Sequence, residues 1–309
     1  MGRRTELNAG RRKPVNWLVM GMLSTLFFAF YGLFSKLSTL QPSIVNLIIF
    51  IASGICGIIP SLLIERKVAF SKEGFLSGLC SGGSVLIMLF MLVSNQVLVV
   101  FSFVSFSSVV FFLIMLALER PMLSRKQKFL AATGILVSTA GLFTASTSMN
   151  GIASLLSNSS ISPYLMIAPL IPIGIGFWAY FSFVAIKKAR STVSTVLLSY
   201  SFAALAIALL GYSLLGFSIP LPAFSQLSDF FPVMAGLFLM GGVMLTLKAY
   251  EMTSGESRIE DTIVAILANA EIVPLIFLSY FILREFTVES FVGAFTVFIG
   301  LAILNAART

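Results

Sequence analysis

Long apolar runs, broken at regular intervals by short polar clusters, set the pattern of this chain. A helix that crosses the hydrocarbon core of a bilayer needs roughly 20 mostly apolar residues. Runs of that length fall at 16–38, 43–64, 74–94, 97–118 and 127–146. After a polar stretch from Met149 to Ser162 they resume at 163–186, 193–216, 230–249, 262–283 and 287–306. Membrane β-barrels are excluded by run length, since a barrel strand is only about 9–11 residues and alternates polar with apolar. The pattern predicts an all-α integral membrane protein with ten transmembrane helices and short connections. The first run, from Trp17 onward, outlasts the apolar core of a signal peptide and no cleavage site follows it, so it reads as a retained helix.

Composition agrees. The 309 residues are 58% hydrophobic and only 10% charged, against about 45–50% and about 25% in soluble chains. Histidine is absent, which removes His-based general base chemistry and His-containing zinc sites. Cys56 and Cys80 lie inside apolar runs without metal spacing. No phosphate-cradling Gly-x-x-x-x-Gly-Lys-Ser/Thr loop occurs, so direct ATP drive would need a separate subunit. Paired catalytic carboxylates and metal clusters are also missing from the spans. No cofactor, metal or enzymatic activity is expected.

The net charge of +8 matters through its placement. Arg3, Arg4, Arg11, Arg12 and Lys13 precede the first span, and further Lys and Arg follow the even-numbered spans. With the N-terminus inside, eighteen of the 20 basic residues fall on the inner face, and only Lys36 and Arg284 fall outside. Such a bias sets orientation during insertion. It predicts cytoplasmic N- and C-termini in a multi-pass protein of the plasma membrane. Charge scattered over separate loop ends, without a basic stripe, argues against nucleic acid as a partner. Asn158-Ser159-Ser160 fits a glycosylation acceptor on the outer face, a pattern too common to decide anything.

A shift of 159 residues places Gly82 on Gly241, Gly83 on Gly242, Gly134 on Gly293 and Gly141 on Gly300. Tyr31-Gly32 and Trp178-Ala179 begin the two halves in similar style, at a different offset. Five helices per half make the second half enter from the opposite side, which is an inverted repeat. The expected organisation is a basic tail (1–15), a first five-helix repeat (16–146), an external linker (147–162) and a second repeat (163–309). Gly82, Gly83, Gly241 and Gly242 are candidate packing or hinge positions. For each glycine alone, close helix approach is an equally good explanation.

Glu271, followed 14 residues later by Glu285 and then by Gly293 and Gly300, resembles the ending of repeats in the drug/metabolite transporter superfamily, in its ten-helix type built from two EamA-like halves. Glu119 with Gly134 and Gly141 echoes it in the first half, and Tyr31-Gly32, Lys36 and Pro42 resemble the start of such a repeat. The likeness spans essentially the whole chain, with departures. Pro274 comes three residues after Glu271 instead of directly after it. Ser105 stands 14 before Glu119 without a neighbouring proline, and Asn46 stands where the family often carries an arginine. The resemblance implies a secondary transporter, often an exporter, of a small metabolite, amino acid, nucleotide-type compound or drug.

Glu271 is the acidic residue that the spans place deep in the bilayer, where carboxylates are costly and face a cavity or a partner. It is a candidate substrate-amine ligand or proton carrier; the bland reading is a carboxyl that ties helices together. Asn269 and Pro274 flank it. Pro274 frees a carbonyl in the preceding turn and is a candidate hinge. Trp178, Tyr180 and Tyr31 are candidate cavity linings, since aromatic rings stack on cationic groups. Ser105 and Ser108 share a helix face and could meet Glu271 across the repeat. Ser81 and Ser84 are weaker candidates, because serines often bond back to their own helix. Lys36 and Lys248, and Glu119, Glu285, Glu289, Glu251 and Glu256, read as helix-end or loop-end charges.

The expected function is alternating-access transport, export or exchange, of a small metabolite such as an amino acid. The two halves rock about a cavity lined by helices 1, 3, 4, 6, 8 and 9. Partners are the small-molecule substrate and the lipid bilayer, with proton coupling through Glu271 compatible with the chain and a monomer or homodimer equally open. The alternatives are an anion exchanger for sugar phosphates or nucleotide sugars, an intramembrane lipid-modifying enzyme, and a non-transporting scaffold subunit.

Overall fold

A computed structural model describes residues 16–38, 40, 42–64, 69–93, 104–119, 123–146, 167–214, 226–254, 258–283 and 288–307. The arginine-rich tail, the linker with its glycosylation pattern, Ser102, Glu256, Arg284 and Glu285 lie outside the described residues, as do the side chains of Lys36 and Asn46.

Every regular element among the described residues is a helix. The chain forms α1 (Asn16–Leu37), α2 (Pro42–Ile64), α3 (Lys72–Val93) and α4 (Ser107–Ile114), which continues as a π-helical turn over Met115–Glu119. It then forms α5 (Arg125–Ser146), α6 (Leu170–Lys187), α7 (Val193–Leu214) and α8 (Phe231–Met252). The ninth expected span is two helices, α9 (Arg258–Ala268) and α10 (Ile272–Leu283), and α11 (Val288–Ala306) closes the chain. Six segments among the described residues are long and apolar enough to cross a membrane.

The helix starts follow from local chemistry. Ser124 caps α5, donating its N–H to Gln127 Oε1 (3.0 Å) and accepting the Gln127 N–H on Oγ (3.2 Å), which is a reciprocal capping box. Ser71 and Thr192 accept backbone N–H groups at the starts of α3 and α7, the role for which such hydroxyls are favoured. α6 stops where Arg190 adopts a left-handed φ of 52° and Ser191 N–H bonds back to Ala185 O at 3.0 Å, a Schellman-type end.

Polarity is distributed inside out. Phe291, Val292, Phe295, Phe298 and Ile299 of α11 are exposed, while Ser24, Ser77, Ser107, Ser108, Ser138, Ser182 and Ser199 are buried. Exposed apolar surface on this scale suits lipid contact. Buried hydroxyls suit helix contacts in a setting where burying hydrocarbon gains nothing. On α1 and α8, Ser24 Oγ donates to Gly242 O at 3.0 Å and lies 2.7 Å from Thr246 Oγ1.

The helices pack in a defined set of pairs: α1 on α8, α3 on α6, α3 on α7, α2 on α8, α2 on α7, α4 on α6, α1 on α9 and α10, and α5 on α11. The last crossing is built from glycine. A Cβ at Gly134 would come within 2.8 Å of Gly300 O, and one at Gly141 within 2.6 Å of Val297 N and 2.8 Å of Gly293 O. Two of the four glycine pairs that coincide under the 159-residue shift, Gly134 with Gly293 and Gly141 with Gly300, therefore meet in this one crossing. The other two pairs do not share matched surroundings. Gly82 faces Ala204 and Ile207 of α7, whereas Gly241 and Gly242 face the rings of Phe27 and Phe28 on α1. At Gly83 a Cβ would meet nothing within 4 Å.

Polar contacts gather four turns at one end of the bundle. Ser71 N–H, before α3, donates to Ser199 Oγ on α7, and Ser191 Oγ lies 3.4 Å from Ser71 Oγ. Lys188, after α6, pairs with Glu119 at the end of α4. Lys187 reaches Thr253 O, after α8, at 2.6 Å. This basic end also holds the largest buried cluster, from Trp17 at the start of α1 to Leu304 and Ala307 at the end of α11.

Candidate functional site

The break between α9 and α10 is written into three residues. Pro274 has no N–H to give to Ala270 O, and Val273 N–H takes that carbonyl instead at 3.0 Å. Upstream, Asn269 N–H and Ala270 N–H bond three residues back, to Ile266 O and Leu267 O. In a regular α-helix the Asn269 N–H would take Ala265 O. Here the Asn269 side chain does so, donating Nδ2–H at 2.8 Å. From α1, Thr25 Oγ1 donates to Leu267 O at 2.7 Å, so the exposed carbonyls find partners. Unpaired buried carbonyls are costly. Asn269→Ala strands Ala265 O and is expected to cost about 1–3 kcal/mol, read as a lowered unfolding midpoint in detergent.

Glu271 sits in this break. All twelve residues from Ile259 to Ala270 are buried, and Glu271 is the first in the span that is partly open. No hydrogen bond or ion pair to its carboxylate occurs among the described residues. Tyr31 on α1 lies within electrostatic range of both Glu271 and Tyr200. Tyr200 on α7 is buried, and its hydroxyl is 2.9 Å from Ser81 Oγ on α3. An interior carboxylate, two phenols and a hydroxyl thus come from four different helices. Such a group can bind an ammonium, pass a proton, or do both.

The remaining expected residues are placed elsewhere. Ser84 is tied down, donating to Cys80 O at 2.9 Å and reaching Ile171 O at 3.4 Å against Gly174. Ser105 is buried at a turn that precedes α4, while Ser107 and Ser108 are buried with no partner for Oγ among the described residues. Among the described residues no hydrogen bond joins Ser108 to Glu271. Trp178 is packed in the large core at 7% exposure, and its carbonyl accepts from Ser77 Oγ at 3.2 Å. Tyr180 donates its hydroxyl to Glu119 Oε1 at 2.9 Å. Both rings belong to the large buried cluster.

Gly83 lies about 200° around α3 from Ser81 at 100° per residue, so it turns away from the Tyr200 hydroxyl. With open space beside it, Gly83→Ala is expected to stabilise the protein by about 0.5–1 kcal/mol through helix propensity. Gly78→Ala, whose Cβ would press on Tyr200 O, is the destabilised control in the same thermal assay.

Sequence reading missed Tyr200, whose only local mark is a pair of flanking serines, and the acidic start of α9. Glu260 and Asp261 are both buried there: Glu260 Oε2 accepts from Ser254 N–H (2.7 Å) and Oγ–H (2.9 Å), and Asp261 Oδ1 accepts from Thr253 Oγ1 at 2.7 Å. Acidic residues in a first helical turn complement the helix dipole, which is the signal that could have found them. Glu119 is more than a loop-end charge: its side chain is 4% exposed and held from two sides. Lys248 and Glu251 pair with each other at the end of α8.

No family model matches the sequence, and no curated protein does. Among solved structures, one described only as a crystal structure of a protein aligns over 96% of this chain and 99% of its own, with a TM-score of 0.70 and 16% identity. That likeness shows a shared fold over the full length of both chains.

Proposed function

We propose that this ten-span bundle is a secondary transporter of the drug/metabolite type, built from two inverted five-helix halves that rock about a central site at Glu271. The observation that carries the reading is an interior carboxylate with no protein partner among the described residues, set in a broken helix. Broken helices near the midplane are how many carriers expose binding groups without losing backbone hydrogen bonds.

The packing supports the repeat. If spans 1–5 correspond to spans 6–10, then α1 on α8 corresponds to α6 on α3, α2 on α8 to α7 on α3, and α4 on α6 to the broken ninth span on α1. All of these pairs occur. The glycine crossing behaves as a two-fold contact: exchanging halves turns the Gly134–Gly300 contact into Gly293–Gly141. The turn at Ser105 and Phe106 falls 14 residues before Glu119, as the break at Glu271 falls 14 before Glu285.

The substrate is a small metabolite carrying an amine, with amino acids first. Glu271 takes the ammonium, helped by the Tyr31 ring and hydroxyl. α10 begins directly after it, so the positive end of that helix favours a carboxylate beside the amine. The described Lys and Arg residues sit at or near helix ends, which suits a cytoplasmic basic face better than an anion site. The test is counterflow of labelled amino acids, nucleotides and sugar phosphates into preloaded proteoliposomes. Saturable exchange of amine-bearing substrates supports the reading, and exchange restricted to phosphorylated compounds overturns the substrate class.

A further inference from the structure

The strongest polar cluster outside the Glu271 site lies at the basic end and joins three parts of the bundle. Glu119, at the end of the π-turn after α4, receives the Tyr180 hydroxyl on Oε1 at 2.9 Å and Lys188 Nζ on Oε2 at 2.7 Å. The Glu119 side chain is 4% exposed, whereas that of Lys188 is 47% exposed. One residue back, Lys187 Nζ donates to Thr253 O at 2.6 Å and reaches Glu251 O at 3.4 Å. The end of α6 is thus fastened on one side to α4 and on the other to the turn between α8 and α9.

Behind this cluster the described side chains are tightly buried. Met115, Phe183, Tyr250, Ile259 and Ile266 are all below 2% exposed, and the ninth span stays buried until Glu271. Among the described residues this packing closes Glu271 off from the basic end, and parting α4 from α6 would open a way through it. In the two-half reading these helices belong to different halves, so rocking that parts them breaks the Glu119 contacts. A carboxylate this well enclosed stays fastened while both donors are in place, because charge-assisted hydrogen bonds in a low-dielectric site are strong.

We propose that Glu119, Tyr180 and Lys188 form a breakable clasp that shuts the basic end of the bundle and controls access to the Glu271 site from that face. The proposal rests on the transporter reading for its purpose, but its test needs no substrate. In a Cys56→Ser, Cys80→Ser background, Met115→Cys places a thiol about one turn behind Glu119, at a buried position in the cluster that also holds Tyr180 and Phe183. A charged, membrane-impermeant methanethiosulfonate is added to the basic face of reconstituted vesicles, that face being identified by an exposed Lys126→Cys control.

Labelling of the parent is expected to be slow. Glu119→Gln and Lys188→Gln are each expected to raise its rate about tenfold or more, by moving the population toward the open end. Tyr180→Phe, which removes one hydrogen bond and keeps the ion pair, gives a smaller rise. Should Glu119→Gln fail to fold, Lys188→Gln alters a half-exposed side chain and carries the test alone. Labelling of folded variants within about twofold of the parent overturns the clasp. Failure of the transporter reading looks different, as absent counterflow in the parent with the labelling contrast intact.

Discussion

Glu271→Gln is expected to lower substrate counterflow by about a hundredfold, the effect of losing a charged hydrogen-bonding partner in a desolvated site, while the protein stays folded. The change keeps size and polarity and removes only the charge. Nothing among the described residues depends on that charge for a hydrogen bond or ion pair, so its loss removes no such support from the fold. In a structural carboxylate the order of effects reverses: stability falls and transport of the folded fraction persists. Parallel measurement of unfolding midpoint and flux separates the two. If Glu271 also carries the coupling proton, the residual flux of the Gln variant loses its dependence on pH.

Gly300→Leu is expected to abolish the folded bundle. A Cβ alone at this position would lie 2.5 Å from Ser138 N and 2.7 Å from Gly134 O, and backbone cannot swing away as a side-chain tip can. Overpacking by a few methylenes costs about 1–3 kcal/mol where side chains can yield. Here α5 and α11 must separate along their length, so about 3 kcal/mol or more is expected. Gly141→Leu is expected to behave alike, because its Cβ would lie 2.6 Å from Val297 N and 2.8 Å from Gly293 O, backbone atoms again. The measurement is recovery of monodisperse protein in detergent. Wild-type recovery of either variant would mean that the crossing is not tightly built.

The helical architecture was legible because run length alone separates a membrane helix from a strand or a soluble segment. Where the structure differs, a contact between distant residues or a subtle backbone event decides. Pro274 marked a weakness in the ninth span. The interruption itself also needs Asn269 to take the carbonyl of Ala265 and Thr25 on α1 to take that of Leu267, and neither is visible as local pattern. Glu271 stood out as a carboxylate in an apolar run, and Tyr31 as an aromatic beside a glycine. Tyr200 did not stand out, because its interest comes from Ser81, which is 119 residues away.

Glu119 read as a loop-end charge because it stands next to Arg120 at the foot of a span. Its enclosure comes from Tyr180 and Lys188 on α6, and one sequence carries no trace of that proximity. Trp178 was singled out as an aromatic inside a span, a description that fits a core ring as well as a cavity wall. Gly83 was paired with Gly82 as one packing motif, yet neighbouring helical residues differ by 100° in direction, and only Gly82 meets another helix.

Alternating access to the middle of the bundle is the central claim, and two-sided accessibility of a single thiol tests it most directly. Ser81→Cys, in the background lacking Cys56 and Cys80, places that thiol beside Tyr200 with the native clasp intact. An impermeant charged reagent is applied to one face of reconstituted vesicles at a time, with and without a transported amine. The account predicts modification from either face, with substrate shifting the two rates in opposite directions. Modification from one face only, unchanged by substrate and by Glu119→Gln, would contradict it.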